Sequence, residues 1–211
     1  MTRRVGTAAV AGVVMVVLLA AQGGGRPASP AGSSATQVGG RYVTAAGSTA
    51  PSYQGGKWIE ITYGRPIKRG RDLWGSGTDY GKNVVGGAPV WRAGANVTTQ
   101  LKTEVPLVIN GKTIPAGDYD VLIDLKPNAW TLILSTLPFQ TTYDPANKTI
   151  LWGSFNYTPD KDVVRAPMTL STLPFSIDQM AWEFADMTDA GGKLVVMWDK
   201  NAASVPFKVG T

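Results

Sequence analysis

The sequence predicts an all-β protein: one antiparallel β-sandwich or jelly-roll-like domain, placed after an N-terminal signal segment and a flexible linker. Three observations predict it. From residue 53 onward, short runs rich in β-branched and aromatic residues recur between clusters of Gly, Pro, Asn and Asp. Inside those runs apolar and polar residues alternate, the two-residue period of a strand with one buried face. No stretch after the leader carries the 3.6-residue period of an amphipathic helix. Many short strands with such turns bury their apolar faces by stacking as sheets.

The elements follow in order. Residues 1–4 are basic, and residues 5–21 form an uninterrupted apolar and small-residue run, densest over 13–20. Ala20 and Ala21 supply a small-residue cleavage point, so residues 1–21 read as a secretory signal. An uncleaved membrane anchor is the alternative, since roughly 17 apolar residues suffice to span a bilayer. Gly6 and Gly12 dilute the run and favour the signal. Export then places the protein in a periplasm, on a cell surface or outside the cell. Membrane contact is expected only if the leader stays. Residues 22–52 hold Gly, Ala, Ser, Thr and Pro with almost no large apolar side chain, the composition of a flexible linker.

The domain is expected over residues 53–211. Residues 58–63 set Ile59, Ile61 and Tyr63 on one face, Glu60 and Thr62 on the other. Residues 105–109 run into Asn110-Gly111, a strong hairpin signal. Over 118–125, Tyr119, Val121, Ile123 and Leu125 oppose Asp118, Asp120 and Asp124. Further strands are expected over 130–134, 150–155, 163–170, 179–187, 193–198 and 205–209, with Ala190-Gly191-Gly192 turning the chain between two of them. Leu-Ser-Thr-Leu-Pro-Phe occurs at 134–139 and again at 170–175, which reads as two equivalent strand exits.

Composition closes several routes to function. The 211 residues are 44% hydrophobic and 17% charged, apolar enough for a core. Arg3 and Arg4 of the leader supply two of the five net positive charges, and the one tight basic group, Arg65, Lys68, Arg69 and Arg71, is spread through a loop. No nucleic-acid partner is expected. There is no cysteine and no histidine, so disulfides, thiolate nucleophiles, sulfur-bound zinc and any Ser-His-Asp triad are excluded.

Arg65-Pro66, the run from Arg69 to Gly75, Val90-Trp91-Arg92-Ala93-Gly94-Ala95-Asn96 and the run from Ile114 to Tyr119 occur in that order. Residues 130–134, Trp152-Gly153 and the run from Asp162 to Arg165 follow. The pattern resembles the bacterial DUF2911 family, exported proteins with no assigned biochemical function, from about residue 58 to residue 207. Trp-Arg-Ala-Gly-Ala-Asn is its most specific element. The family usually continues with Glu-Ala-Thr, whereas Val97-Thr98-Thr99 follows here, so a role resting on that carboxylate does not carry over. The resemblance implies architecture and export, and names no catalytic residue.

The candidate binding residues are Arg65, Arg71, Trp91, Arg92, Asn96 and Thr98, several of them in loops marked by Pro66, Gly70 and Gly94. Arginine beside an aromatic ring suits carboxylates, phosphates or sugar acids. The competing reading has the arginines tying loops to backbone carbonyls and Trp91 packed in the core. Asp118, Asp120 and Asp124 fit either a paired-carboxylate site or a solvated strand face. Trp74, Trp91 and Trp152, each near glycine, are the loop-like candidates for an exposed sugar platform. No catalytic residue, metal or cofactor is expected. The expected function is a non-enzymatic exported binding domain for a small polar or saccharide ligand or an envelope protein. A carboxylate-dependent glycan hydrolase and a self-associating surface module are the alternatives.

Overall fold

The computed structural model describes residues 28–140, 142, 144, 146, 147 and 154–210. The expected leader and the first part of the expected linker lie outside them. Two antiparallel sheets stack against each other. The first runs in the order β1 (Ala31–Val38), β4 (Lys57–Gly64), β5 (Gln100–Thr103), β8 (Gly117–Asp124), β9 (Thr131–Ser135) and β10 (Asp162–Pro167). The second runs β11 (Thr169–Thr188), β12 (Gly191–Val209), β6 (Leu107–Ile109), β7 (Lys112–Ile114). A separate ribbon pairs β2 (Arg41–Val43) with β3 (Ser52–Gln54). No helix among the described residues is long and apolar enough to cross a membrane.

Alternation decides the core. Ile59, Ile61, Leu101, Val121 and Leu134 of the first sheet turn inward onto Trp182, Leu194, Val196, Val205 and Phe207 of the second. Each such side chain contributes about 1.5–3 kcal/mol when fully buried. Residues 70–95 lay further aromatic mass against this core. The rings of Trp74 and Trp130 lie 4.7 Å apart, while Trp91 stacks on Trp198 at 6.1 Å and 15°. The indole N–H of Trp130 donates to the Tyr80 hydroxyl at 2.8 Å, so the cluster leaves that polar group satisfied.

Three connections tie the sheets together. The β6–β7 hairpin leaves the first sheet between β5 and β8, turning at Asn110 (φ 51°) and Gly111 (φ 75°), both left-handed as a two-residue hairpin requires. β10 passes through Met168 into β11, so one strand end feeds both sheets. Beyond β4, the Lys68 N–H donates to the Asp178 carbonyl at 2.6 Å and the Met180 N–H to the Pro66 carbonyl at 3.0 Å. That seam joins the end of β4 to β11. The Lys68 ammonium, 2.6 Å from Asp199, and the Ser176 hydroxyl hold the Asp199 carboxyl below its usual range.

Five expectations are corrected. Residues 31–38 are a strand of the main sheet, paired with β4 from Ala31↔Gly64 to Val38↔Lys57, and not part of a linker. Its small side chains bury little, but the ladder satisfies the backbone and the missing Cβ of Gly32 leaves room for the Arg65 stem. The strands expected over 193–198 and 205–209 are one strand, β12, because its partner changes along its length from β11 to β6. The turn before it falls at Asp189-Ala190, where the Thr188 hydroxyl accepts the Ala190 N–H. Of the strand expected over 150–155, Ser154 and Phe155 form a turn and the rest lies outside the described residues. The first copy of the repeat is a strand exit, its ladder ending at Ser135 ahead of Pro138. The second lies inside β11, where Pro174 has no N–H to give and the pairing with β12 shifts register between Thr172 and Ile177 before it resumes.

Candidate ligand-binding site

The structure brings only part of the six predicted residues together: Arg65, Arg71 and Asn96 gather around Ser29 and Pro30, while Trp91 and Thr98 are buried. Arg65 donates from Nε to the Met180 carbonyl at 3.2 Å, and Arg71 donates to the carbonyls of Ile67 (2.6 Å) and Lys68 (3.0 Å). Both tie loops down. Trp91 is 1% exposed, inside the tryptophan cluster, so it offers no face to a ligand. Its backbone bridges Ile123, which turns the half-buried Arg92 to the opposite side of the strand. Asn96, at φ 65°, donates to the Ser29 carbonyl. Thr98 is buried, its N–H donating to the Gln140 carbonyl at 3.0 Å and its hydroxyl accepting the Gln140 N–H at 2.9 Å. Trp74 is buried as well, and Trp152 lies outside the described residues.

An exposed aromatic groove lies elsewhere, on the outer face of the first sheet. Trp58 precedes the inward Ile59, so it points outward with Glu60 and Thr62, and it stays 48% exposed. Its main chain is clamped: the Trp58 N–H donates to the Glu104 carboxylate at 2.8 Å, and the Glu104 N–H donates to the Trp58 carbonyl at 2.9 Å. A cavity of about 360 Å³ lies against Trp58, Ala35, Glu60, Lys102 and Glu104. A second, of about 370 Å³, shares Glu60 and Lys102 and continues past Thr62, Gln100 and Asp118 to Phe139. The register explains the shared floor, since Glu60 pairs with Lys102 and Lys102 with Asp118. The small side chain of Ala35, opposite Glu60 on β1, keeps the groove open on that side.

The rest of this face is covered. Val90, Leu122, Ile133 and Leu137 make a small second core there, with Tyr157 packed against it. The Thr98–Gln140 pairing fastens the segment leaving β9 over it. Arg165 ties the covering back to the sheet through Asp124 (2.8 Å), Asp162 (3.1 Å) and the Tyr157 hydroxyl (2.7 Å). Burial and the Asp162 carboxylate push the Tyr157 pKa up to about 12. This covering overturns the solvated-face reading of the three aspartates. Asp118 is exposed and Asp124 is paired with Arg165, but Asp120 is 0% exposed, and neither of its carboxyl oxygens has a hydrogen-bond partner. Unrelieved burial raises its pKa to about 8. With its pKa near 8, the Asp120 carboxyl is mostly protonated at pH 7.

Sequence reasoning overlooked Trp58 as a platform, although the phase of residues 58–63 already set it on the outward face. Taken together, the fold and the groove define a two-sheet β-sandwich with a clamped tryptophan and charged residues open on one sheet face. The chain belongs to the DUF2911 family, described as a protein of unknown function, which matches residues 46–207. No curated protein and no solved structure matches it. β1 and β2 precede the matched region, so one wall of the groove lies before it.

Proposed function

We propose that this protein is an exported binding domain for a saccharide and that the outer-face groove is its site. The observation that carries the reading is Trp58: a large flat ring, about half open to solvent, on a main chain held by two hydrogen bonds, beside Glu60, Lys102 and Glu104. An indole face takes the apolar face of a sugar ring, while carboxylates and an ammonium at its rim accept from and donate to hydroxyls. Because the main chain beneath the ring is already fixed, no backbone has to be ordered on binding. The signal-like residues 1–21 support export.

Binding without hydrolysis is favoured by the placement of Asp120. A glycosidase needs a carboxylic acid, protonated near neutral pH, that reaches the scissile oxygen. The carboxyl held protonated here is sealed away from the groove. Glycan-array and calorimetric binding of the purified protein tests the reading. Trp58→Ala is expected to lower affinity by at least about tenfold, or about 1.4 kcal/mol, with the melting temperature kept. Unchanged binding by that variant would overturn the assignment of the site.

A further inference from the structure

The groove does not stop at Trp58. Directly across from it on β1 is Gln37, and opposed residues of an antiparallel pair share a face. Gln37 also lines a larger cavity, of about 690 Å³, that runs along the β2–β3 ribbon past Arg41, Tyr42, Tyr53 and Asp189. Gln37 therefore stands next to Trp58 and in the wall of the larger cavity.

The ribbon holds a second aromatic platform. Tyr53 is fixed between Gly40 and Gly56, where an added Cβ would come within 2.5 and 2.6 Å of its ring. Its hydroxyl accepts the Gly40 N–H at 2.8 Å and donates to the Asp189 carboxylate at 3.2 Å. Tyr42 stands edge-on to Tyr53, with centroids 5.3 Å apart and planes at 67°, and is 73% exposed. Tyr53 gives the ribbon no core to bury; it braces a ring that faces water. An exposed tyrosine so braced is a feature of recognition surfaces, offering area at low entropic cost.

We infer that the Tyr42 cavity and the Trp58 groove are successive subsites for one glycan chain, so that the ligand is a neutral oligosaccharide and not a free sugar. This rests on the saccharide reading of the Trp58 groove. Three observations carry the extension. Gln37, which lines the larger cavity, lies directly opposite Trp58 and so sets the two hollows side by side. Aromatic rings recur along the path, from Tyr42 through Trp58 to Phe139, with amide and charged side chains between them. Charge selects against an anionic chain, since Glu60, Glu104 and Asp118 outnumber Lys102 in the groove, while Arg41 and Asp189 balance at the ribbon.

Calorimetry of the purified full chain with cello-, chito- and malto-oligosaccharides, each from dimer to hexamer, tests it. Affinity for the preferred series is expected to rise by about tenfold or more between dimer and hexamer. Tyr42→Ala should remove most of that gain and leave the dimer unaffected, and Tyr42→Phe should keep it. Trp58→Ala should weaken both lengths. If Trp58→Ala weakens binding but affinity is flat with length, or Tyr42→Ala leaves the hexamer unchanged, the extended site is wrong and the saccharide groove stands. If no series binds, both readings fall. A matching melting curve for Tyr42→Ala separates lost contact from lost fold, and the exposure of the side chain makes that match the expected result.

Discussion

At the scale of single residues, Asp120 has the clearest consequence. In the unfolded chain its carboxyl titrates near 3.8, and in the native state near 8. Between those values the native state holds a proton that the unfolded state has lost, so stability falls as pH rises from about 4 to about 8. Above pH 8 the folded protein must bury an unpaired negative charge. Melting temperature is therefore expected to be lower at pH 9 than at pH 5, and Asp120→Asn, which keeps the shape without the charge, should remove most of that difference. Calorimetric melts of both proteins at the two pH values measure it. A wild-type profile flat across that range would show that the carboxyl finds a partner. The residue was visible in the sequence as one of three alternating aspartates, but its burial was not. What distinguishes it from Asp118 is the pairing of Thr98 with Gln140, a contact between positions more than forty residues apart.

Among the elements, strands with large alternating side chains were legible and strands of small residues were not. β4, β8 and the β6–β7 hairpin follow the expected phase, because burial of Ile59, Val121 or Ile109 is what positions them. β1 escaped notice for the complementary reason. Its place comes from main-chain pairing with β4 and from gaps that small residues leave, neither of which shows as hydrophobic periodicity. Glycine makes a similar contribution where β4 ends. An added Cβ at Gly64 would collide with the Ala95 carbonyl, whose own residue donates its N–H to Gly64. Neither partner is a flexible side chain, so the backbone itself must move. Gly64→Ala is expected to cost about 1–3 kcal/mol, read from the midpoint of urea unfolding. Of the expected binding residues, Arg71 bonds to carbonyls of its own loop, a tie within reach of the sequence, whereas the carbonyl that Arg65 meets, at Met180, comes into place only when that loop reaches β11.

For the whole molecule, the two-sheet arrangement followed from alternation alone, whereas the seam between the sheets did not. Nothing in the run from Arg65 to Lys68 signals that it will hydrogen-bond to residues near 178–180, since that pairing depends on where both sheets lie. The functional surface obeys the same division. Which face of each strand turns outward is a local property, and it placed Trp58. Which part of that face remains open is global, decided by the covering of Leu122 and Ile133 and by the lack of any such covering over Glu60 and Lys102 among the described residues. The groove is the uncovered half of a sheet whose other half became interior.

The long terminal hairpin, β11 with β12, also governs the order in which the chain can mature. It supplies most of the second sheet, and with it Trp182, Val196, Trp198 and Phe207, the counterparts of nearly every inward side chain in the first. Residues 169–209 follow every strand of the first sheet along the chain, so that sheet gains the cover of its inward face only after all its strands have been made. A version ending at residue 168 is expected to bind the dye ANS and to lack a cooperative thermal transition; a sharp melt would show that the first sheet sustains itself. Until that hairpin closes, Ile59, Ile61, Leu101 and Val121 face water, and the half-made domain is at its most prone to aggregate.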